Sequence, residues 1–108
     1  MTQIWYDKQG NPIDSNRANE LLGDPIYCRV ARTWISSHSD WSVNIDVSTL
    51  WLGCNYNLGN VGAPIIFETV VFGSRECEGQ VVFRCATEAQ ALAGHAKIVR
   101  IFSVVPPC

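Results

Sequence analysis

"PIIFETVVFG", residues 64–73, decides how this chain folds. Ile65, Ile66, Phe67, Val70, Val71 and Phe72 read as a buried β-strand. Glu68 stands in its middle, although burying an unpaired carboxylate is costly enough that the group would rather neutralise. The glutamate therefore either does chemistry or has a partner. Beyond "GSRECEG" (73–79), residues 80–85 read as a second strand. An antiparallel hairpin centred near Glu76 pairs positions whose numbers sum to about 152. Glu68 then lies opposite Arg84, Val70 opposite Val82 and Phe72 opposite Gln80. An opposed Glu and Arg exchange charge-assisted hydrogen bonds that offset desolvation of both, and a slip of one residue would send Arg84 to the other face.

Working outward, residues 41–52 alternate, with Trp41, Val43, Ile45, Val47 and Trp51 on one side and Ser42, Asn44, Asp46 and Ser48 on the other, as in a strand with one solvated face. Residues 26–35 also read as a strand, with both alternate sets mixed in polarity. Ahead of it, "DSNRANELLGDP" carries helix punctuation: Asp14 or Ser15 as cap, Gly23 as a left-handed terminator and Pro25 as a stop. A helix over about 15–22 follows, with Ala18, Leu21 and Leu22 inward. "IWYD" and "PI", flanking Lys8–Asn11, read as a short strand pair or as a strand followed by a turn. A second helix is expected over about 88–102, where Thr87 and Gln90 spell a T-x-x-Q capping box. Its stripe of Ala91, Leu92, His95, Ile98, Val99 and Phe102 follows helical spacing. The expected fold is α+β: an antiparallel sheet of about four to five strands, with a short N-terminal helix and a C-terminal helix packed on one face.

The 108 residues, 47% hydrophobic and 17% charged with four Trp, make a single folding unit, 1–108, rather than a disordered chain. With a net charge of −2 and scattered Lys and Arg, no basic stripe exists to neutralise phosphates, so nucleic acid is not an expected partner. The N-terminus does not read as a signal peptide, and no apolar run is long enough to span a bilayer, so a cytoplasmic protein without a membrane role is expected. Cysteines at 28, 54, 77, 85 and 108 form no C-x-x-C and have no histidine at ligand spacing. Neither a disulfide framework nor a metal or other cofactor is signalled, and reduced, non-catalytic thiols are expected, with Cys108 at the chain end set apart from the rest.

Gly94 and His95 lie within the last helix. A glycine there costs roughly 1 kcal/mol relative to alanine and implies close approach of another backbone. His95 reads as a packed residue bonded to a strand carbonyl or to a carboxylate such as Glu68. An acid–base pair of Glu68 and His95 in a small hydrolase or isomerase is the enzymatic alternative, and it requires the two side chains to converge on an accessible cavity.

Three stretches, "VSTLWLG" (47–53), "IIFETVVFG" (65–73) and "ATEAQALAGHAKIV" (86–99), resemble a family of small proteins encoded in bacteriophages, prophages and other mobile elements. The resemblance covers roughly the C-terminal 60 residues and implies a small cytoplasmic accessory protein without an assigned activity. Family members often read "LGLDHNFG" where this chain has "LGCNYNLG", so Asn55 and Tyr56 replace an Asp-His pair and lower the enzymatic expectation.

Helices on one face leave the other to be covered, and several of Trp34, Trp41 and Trp51 are expected there, with β-branched residues beside them. Pairing of two copies is the common solution. The reading is a non-enzymatic binding module, a homodimer, in which Trp41 and Trp51 with Asn55, Tyr56 and Asn57 of the Gly/Asn-rich loop 53–64 contact a protein or small ligand. Glu68, Arg84, Thr87, Gln90, Gly94 and His95 are assigned structural roles.

Overall fold

The computed structural model describes residues 4–36, 44–57, 61–73 and 79–104. In chain order the elements are β1 (Trp5–Tyr6), β2 (Pro12–Ile13), α1 (Ser15–Leu22), α2 (Pro25–Cys28), β3 (Arg29–Ser36), β4 (Asn44–Trp51), β5 (Phe67–Phe72), β6 (Gln80–Cys85) and α3 (Glu88–Val104). β3-β4-β5-β6 form a four-stranded antiparallel sheet, and β1-β2 a separate two-stranded one. The fold is the expected α+β arrangement, with α3 packed on the larger sheet.

The expected hairpin register holds at one end of β5 and β6 and shifts at the other. Phe67 pairs with Cys85, Glu68 with Arg84 and Thr69 with Phe83; a bulge after Thr69 then puts Val70 opposite Val81 and Val71 opposite Gln80. The pairings Val70–Val82 and Phe72–Gln80 are thereby corrected. The extra residue, which lets Val82 pack with Val71 and Ile45 on the helix side, is a two-against-one irregularity that no symmetric count reveals.

Several terminators differ from the sequence reading. Asp14 caps α1, its Oδ1 accepting from Arg17 N at 2.7 Å. Ala18 and Leu21 are buried, but Leu22 is exposed. Gly23 adopts φ −80°, ordinary right-handed backbone, not the left-handed conformation expected of it. Pro25 does not merely stop a helix. With Asp24 accepting from Ile26 N at 3.0 Å and Tyr27 N at 3.3 Å, it starts one further turn, because proline is preorganised for the first helical position. The strand expected from Ile26 therefore begins at Arg29. In α3 the capping box is formed: Gln90 N donates to Thr87 Oγ1 at 3.1 Å, and Gln90 Oε1 accepts from Thr87 N and Ala86 N, each at 3.2 Å. Leu92, placed in the inward stripe, is exposed.

Two apolar clusters lie beneath α3 and the N-terminal elements. Leu21, Trp51, Ile66, Phe67, Cys85 and Ala91 form one; Ile45, Val47 and Val71, with Ile98, Val99 and Phe102 of α3 against them, form the other. Trp51 closes the first, its ring edge-on to Tyr27 at 4.9 Å and its Nε1 donating to Tyr6 O at 3.1 Å. Trp51 is only 2% exposed, so it is a core residue and not part of an uncovered face. Gly53, at φ +82°, lets the chain turn where a Cβ would meet the Trp5 and Trp51 rings at 3.1 Å. The close approach inferred for Gly94 exists, but to a ring and not to a backbone: a Cβ there would collide with the Phe83 ring.

Candidate functional site

Alternation sends the odd-numbered residues of β3 from Ala31 onward, of β4 and of the first part of β5 toward α3 and the even-numbered ones to the opposite face; the bulge between Arg29 and Ala31 reverses the parity before it, and Val30 packs on the core. Glu68 and His95 are consequently on opposite sides of the sheet. On the covered side His95, 6% exposed, is held between two hydroxyls, with Nε2 2.8 Å from Thr33 Oγ1 and Nδ1 2.8 Å from Thr49 Oγ1. Thr49 Oγ1 is in turn 2.6 Å from Thr69 Oγ1. Three strands thus each lend one threonine to a chain of hydrogen bonds that runs through one imidazole. A neutral ring offers one donor and one acceptor, and rotating hydroxyls satisfy either tautomer. Burial lowers the His95 pKa from its ordinary value. The expected bond to a strand carbonyl or to Glu68 is replaced by these threonine contacts, and Glu68 and His95 do not converge on a cavity.

The opposite face carries the charges. Arg84 Nε donates to Glu68 Oε2 at 3.3 Å, and the Arg84 guanidinium lies 4.8 Å over the Tyr56 ring. Across the sheet, Arg32 makes a fuller version of the same motif. Its Nη2 donates to Asp46 Oδ2 at 2.8 Å, its Nε reaches Oδ1 at 3.1 Å and Oδ2 at 3.2 Å, and its guanidinium lies 4.9 Å from the Trp34 ring. The Asp46 hydrogen bond raises the Arg32 pKa further. Both carboxylates are largely covered and both guanidiniums remain open to solvent. Trp34, 61% exposed, with Phe72 and Val81 supplies apolar surface between and beside these clusters. Cation–aromatic stacking of this kind contributes about 0.5–1 kcal/mol at exposed positions.

The loop after β4 is pinned by its asparagines. Asn55 Oδ1 accepts from Asn57 N and Ile65 N, each at 2.8 Å, and Asn57 Nδ2 donates to Val61 O at 2.6 Å. Both side chains are occupied in holding the loop, whereas Tyr56 is exposed at the edge of the open face. Its phenol pKa is raised, first by its hydrogen bond with Cys54 and also by burial, so it stays protonated at neutral pH. Of the residues singled out for partner contact, Tyr56 is therefore on the open face, Trp51 is in the core, and Trp41 lies outside the described residues.

Trp34 lies on the uncovered face, as expected of it, whereas the sequence does not single out Arg32, Asp46, Phe72 and Val81 as its neighbours there, nor Thr33, Thr49 and Thr69 as the partners of His95. Arg32 and Asp46 make the same kind of ion pair as Arg84 and Glu68, but diagonally, since Arg32 is paired with Ser48 and Asp46 with Trp34, so a count of opposed positions does not bring them together.

Among the described residues, no group of three or more His, Cys, Asp or Glu side chains is placed to hold a metal ion. Cys28, Cys54 and Cys85 are free thiols, while Cys77 and Cys108 lie outside the described residues. No helix among the described residues is long and apolar enough to cross a membrane. No protein-family model matches the sequence, and neither the curated proteins nor the solved structures yield a match.

Proposed function

We propose that this chain is a non-enzymatic binding module, a cytoplasmic accessory protein of a mobile genetic element, that works as a homodimer and offers the open sheet face to another protein. One observation carries the reading: the two Arg–carboxylate–aromatic clusters lie on the same exposed face as Phe72 and Val81. Aromatic and arginine side chains are the residue types that dominate protein–protein hot spots. Each guanidinium is already neutralised and stacked, so little further ordering is needed when a partner covers it. The acid–base alternative lacks the geometry it requires, because Glu68 is engaged by Arg84 on one face and His95 by two threonines on the other. The mobile-element assignment rests on the sequence resemblance alone.

The test is affinity capture from a bacterial extract with the unaltered protein and with Tyr56→Ser/Phe72→Lys. Partners held by the former and released by the latter support the open-face reading, and equal retention overturns it. Hydrolytic or isomerase turnover abolished by both Glu68→Gln and His95→Gln would establish the enzyme instead.

A further inference from the structure

The four-stranded sheet has β3 at one edge and β6 at the other. An edge strand leaves alternate N–H and C=O groups directed away from its neighbour, ready to pair with another chain unless a charge, proline or bulge prevents it. On β3 the bulge falls at the Arg29–Ala31 end, leaving Ala31 to Ser36 in regular pairing with β4. Arg32, the one charge in that stretch, is drawn back onto Asp46 by three contacts of 2.8–3.2 Å. The edge is thus long, regular and electrically neutralised, and Trp34 projects from it.

We infer that the homodimer forms by antiparallel pairing of β3 with β3 of a second copy about a twofold axis through Thr33, joining the two sheets into one of eight strands. This deepens the homodimer reading above and rests on it. Registers that keep α3 of both copies on the same side pair residues whose numbers have an even sum, since a slip of one residue exchanges the faces. Pairing about Arg32 sets two guanidiniums opposite each other, and pairing about Trp34 sets the two indoles opposite each other, leaving each Arg32 against Ser36. Pairing about Thr33 puts each Trp34 against the other copy's Arg32, twice. Arg32 already stacks on an indole within its own strand at 4.9 Å, so the same chemistry is reused across the axis. On the helix side this register sets Ile35 against Ala31, large against small. Beside the edge, a cavity of about 340 Å³ is lined by Pro25, Ile26, Arg29, Val30 and Ala31, and Ala31 is the residue opposite which Ile35 of the second copy arrives. Ile26, at 86% exposed, is the most open of the large apolar side chains among the described residues and gains cover there. A two-residue offset between a cation and its aromatic partner on one strand is self-complementary under twofold symmetry, and this selects a second copy of the chain over an unrelated strand.

Sedimentation velocity of the full chain from micromolar to millimolar concentration tests the inference, alongside Trp34→Lys and Phe72→Lys. The expected result is a dimer whose dissociation constant rises by about 30-fold or more in Trp34→Lys, as for loss of a hot-spot aromatic, and is little changed in Phe72→Lys. Amide exchange in the unaltered protein decides independently of how well Trp34→Lys folds: exchange across 30–36 should slow as concentration rises. A dimer that survives Trp34→Lys, or one dispersed by Phe72→Lys instead, or unchanged exchange across 30–36 in a dimer, overturns edge pairing and leaves the homodimer reading in place. A monomer over the whole range overturns both.

Discussion

The two faces of the four-stranded sheet solve the same problem, polar groups among apolar neighbours, in opposite ways. Beneath α3 the polar atoms are neutral: Thr33, Thr49, Thr69 and His95 satisfy one another in one chain, and the described residues contain no buried side-chain N or O without a partner. On the open face the polar atoms are ionised, in the pairs Arg32–Asp46 and Arg84–Glu68. Water explains the difference. A charge under the helix would lose its hydration without recovery, whereas a guanidinium at the surface keeps part of its hydration while neutralising a more covered carboxylate. Interiors therefore select groups by hydrogen-bond count, and surfaces by charge.

The contrast breaks first on tryptophan. Trp51→Ala on the covered side should cost about 3–5 kcal/mol, through a cavity bounded by Tyr27, Ile66 and Phe67. Trp34→Ala on the open side, measured on dilute protein, should cost no more than about 1 kcal/mol, the loss of its stacking with Arg32. Denaturant midpoints decide this, and comparable losses at the two positions would erase the distinction between the faces.

Acid should reach the covered face next. Burial depresses the folded-state pKa of His95 below its ordinary value of 6.5, so at mildly acidic pH the unfolded chain binds a proton that the folded chain refuses. The stabilisation is therefore fully present above the unfolded pKa and is lost as pH falls through the folded one. Chemical denaturation from pH 7.5 down to 5 should show this decline in the unaltered protein and a flatter profile in His95→Gln; parallel profiles would mean that His95 does not carry it.

The smallest effect belongs to the open-face ion pairs. Glu68→Gln and Arg84→Met should couple by about 0.2–1 kcal/mol in a double-mutant cycle, because the guanidinium is solvated and touches Glu68 only through Nε. The coupling should shrink in high salt. Strict additivity at low salt would show that the contact contributes nothing to stability.

Local chemistry settled much of this in advance. The alternation of β4, the opposition of Glu68 and Arg84, the Asp14 cap and the Thr87–Gln90 box are legible because each depends on residues a few positions apart or on a hairpin whose centre can be counted. Where two local signals compete, the sequence misleads: Pro25 reads as a stop, although behind the Asp24 cap it also initiates a helical turn. The bulge after Thr69 is hidden because Val70 meets a valine in either register, Val82 in the one counted and Val81 in the one formed.

What tertiary structure alone decided is which side of the sheet the helix covers, and everything that follows from it. Trp34 and Trp51 look alike in sequence, each an aromatic residue in an alternating strand, yet one is open and the other closes the core. That outcome depends on the parity of each strand relative to α3, a long-range relation that no window of neighbouring residues contains. For the same reason the sequence could nominate His95 as a packed residue but not name Thr33, Thr49 and Thr69, which come from three strands and meet only when the sheet has formed beneath the helix.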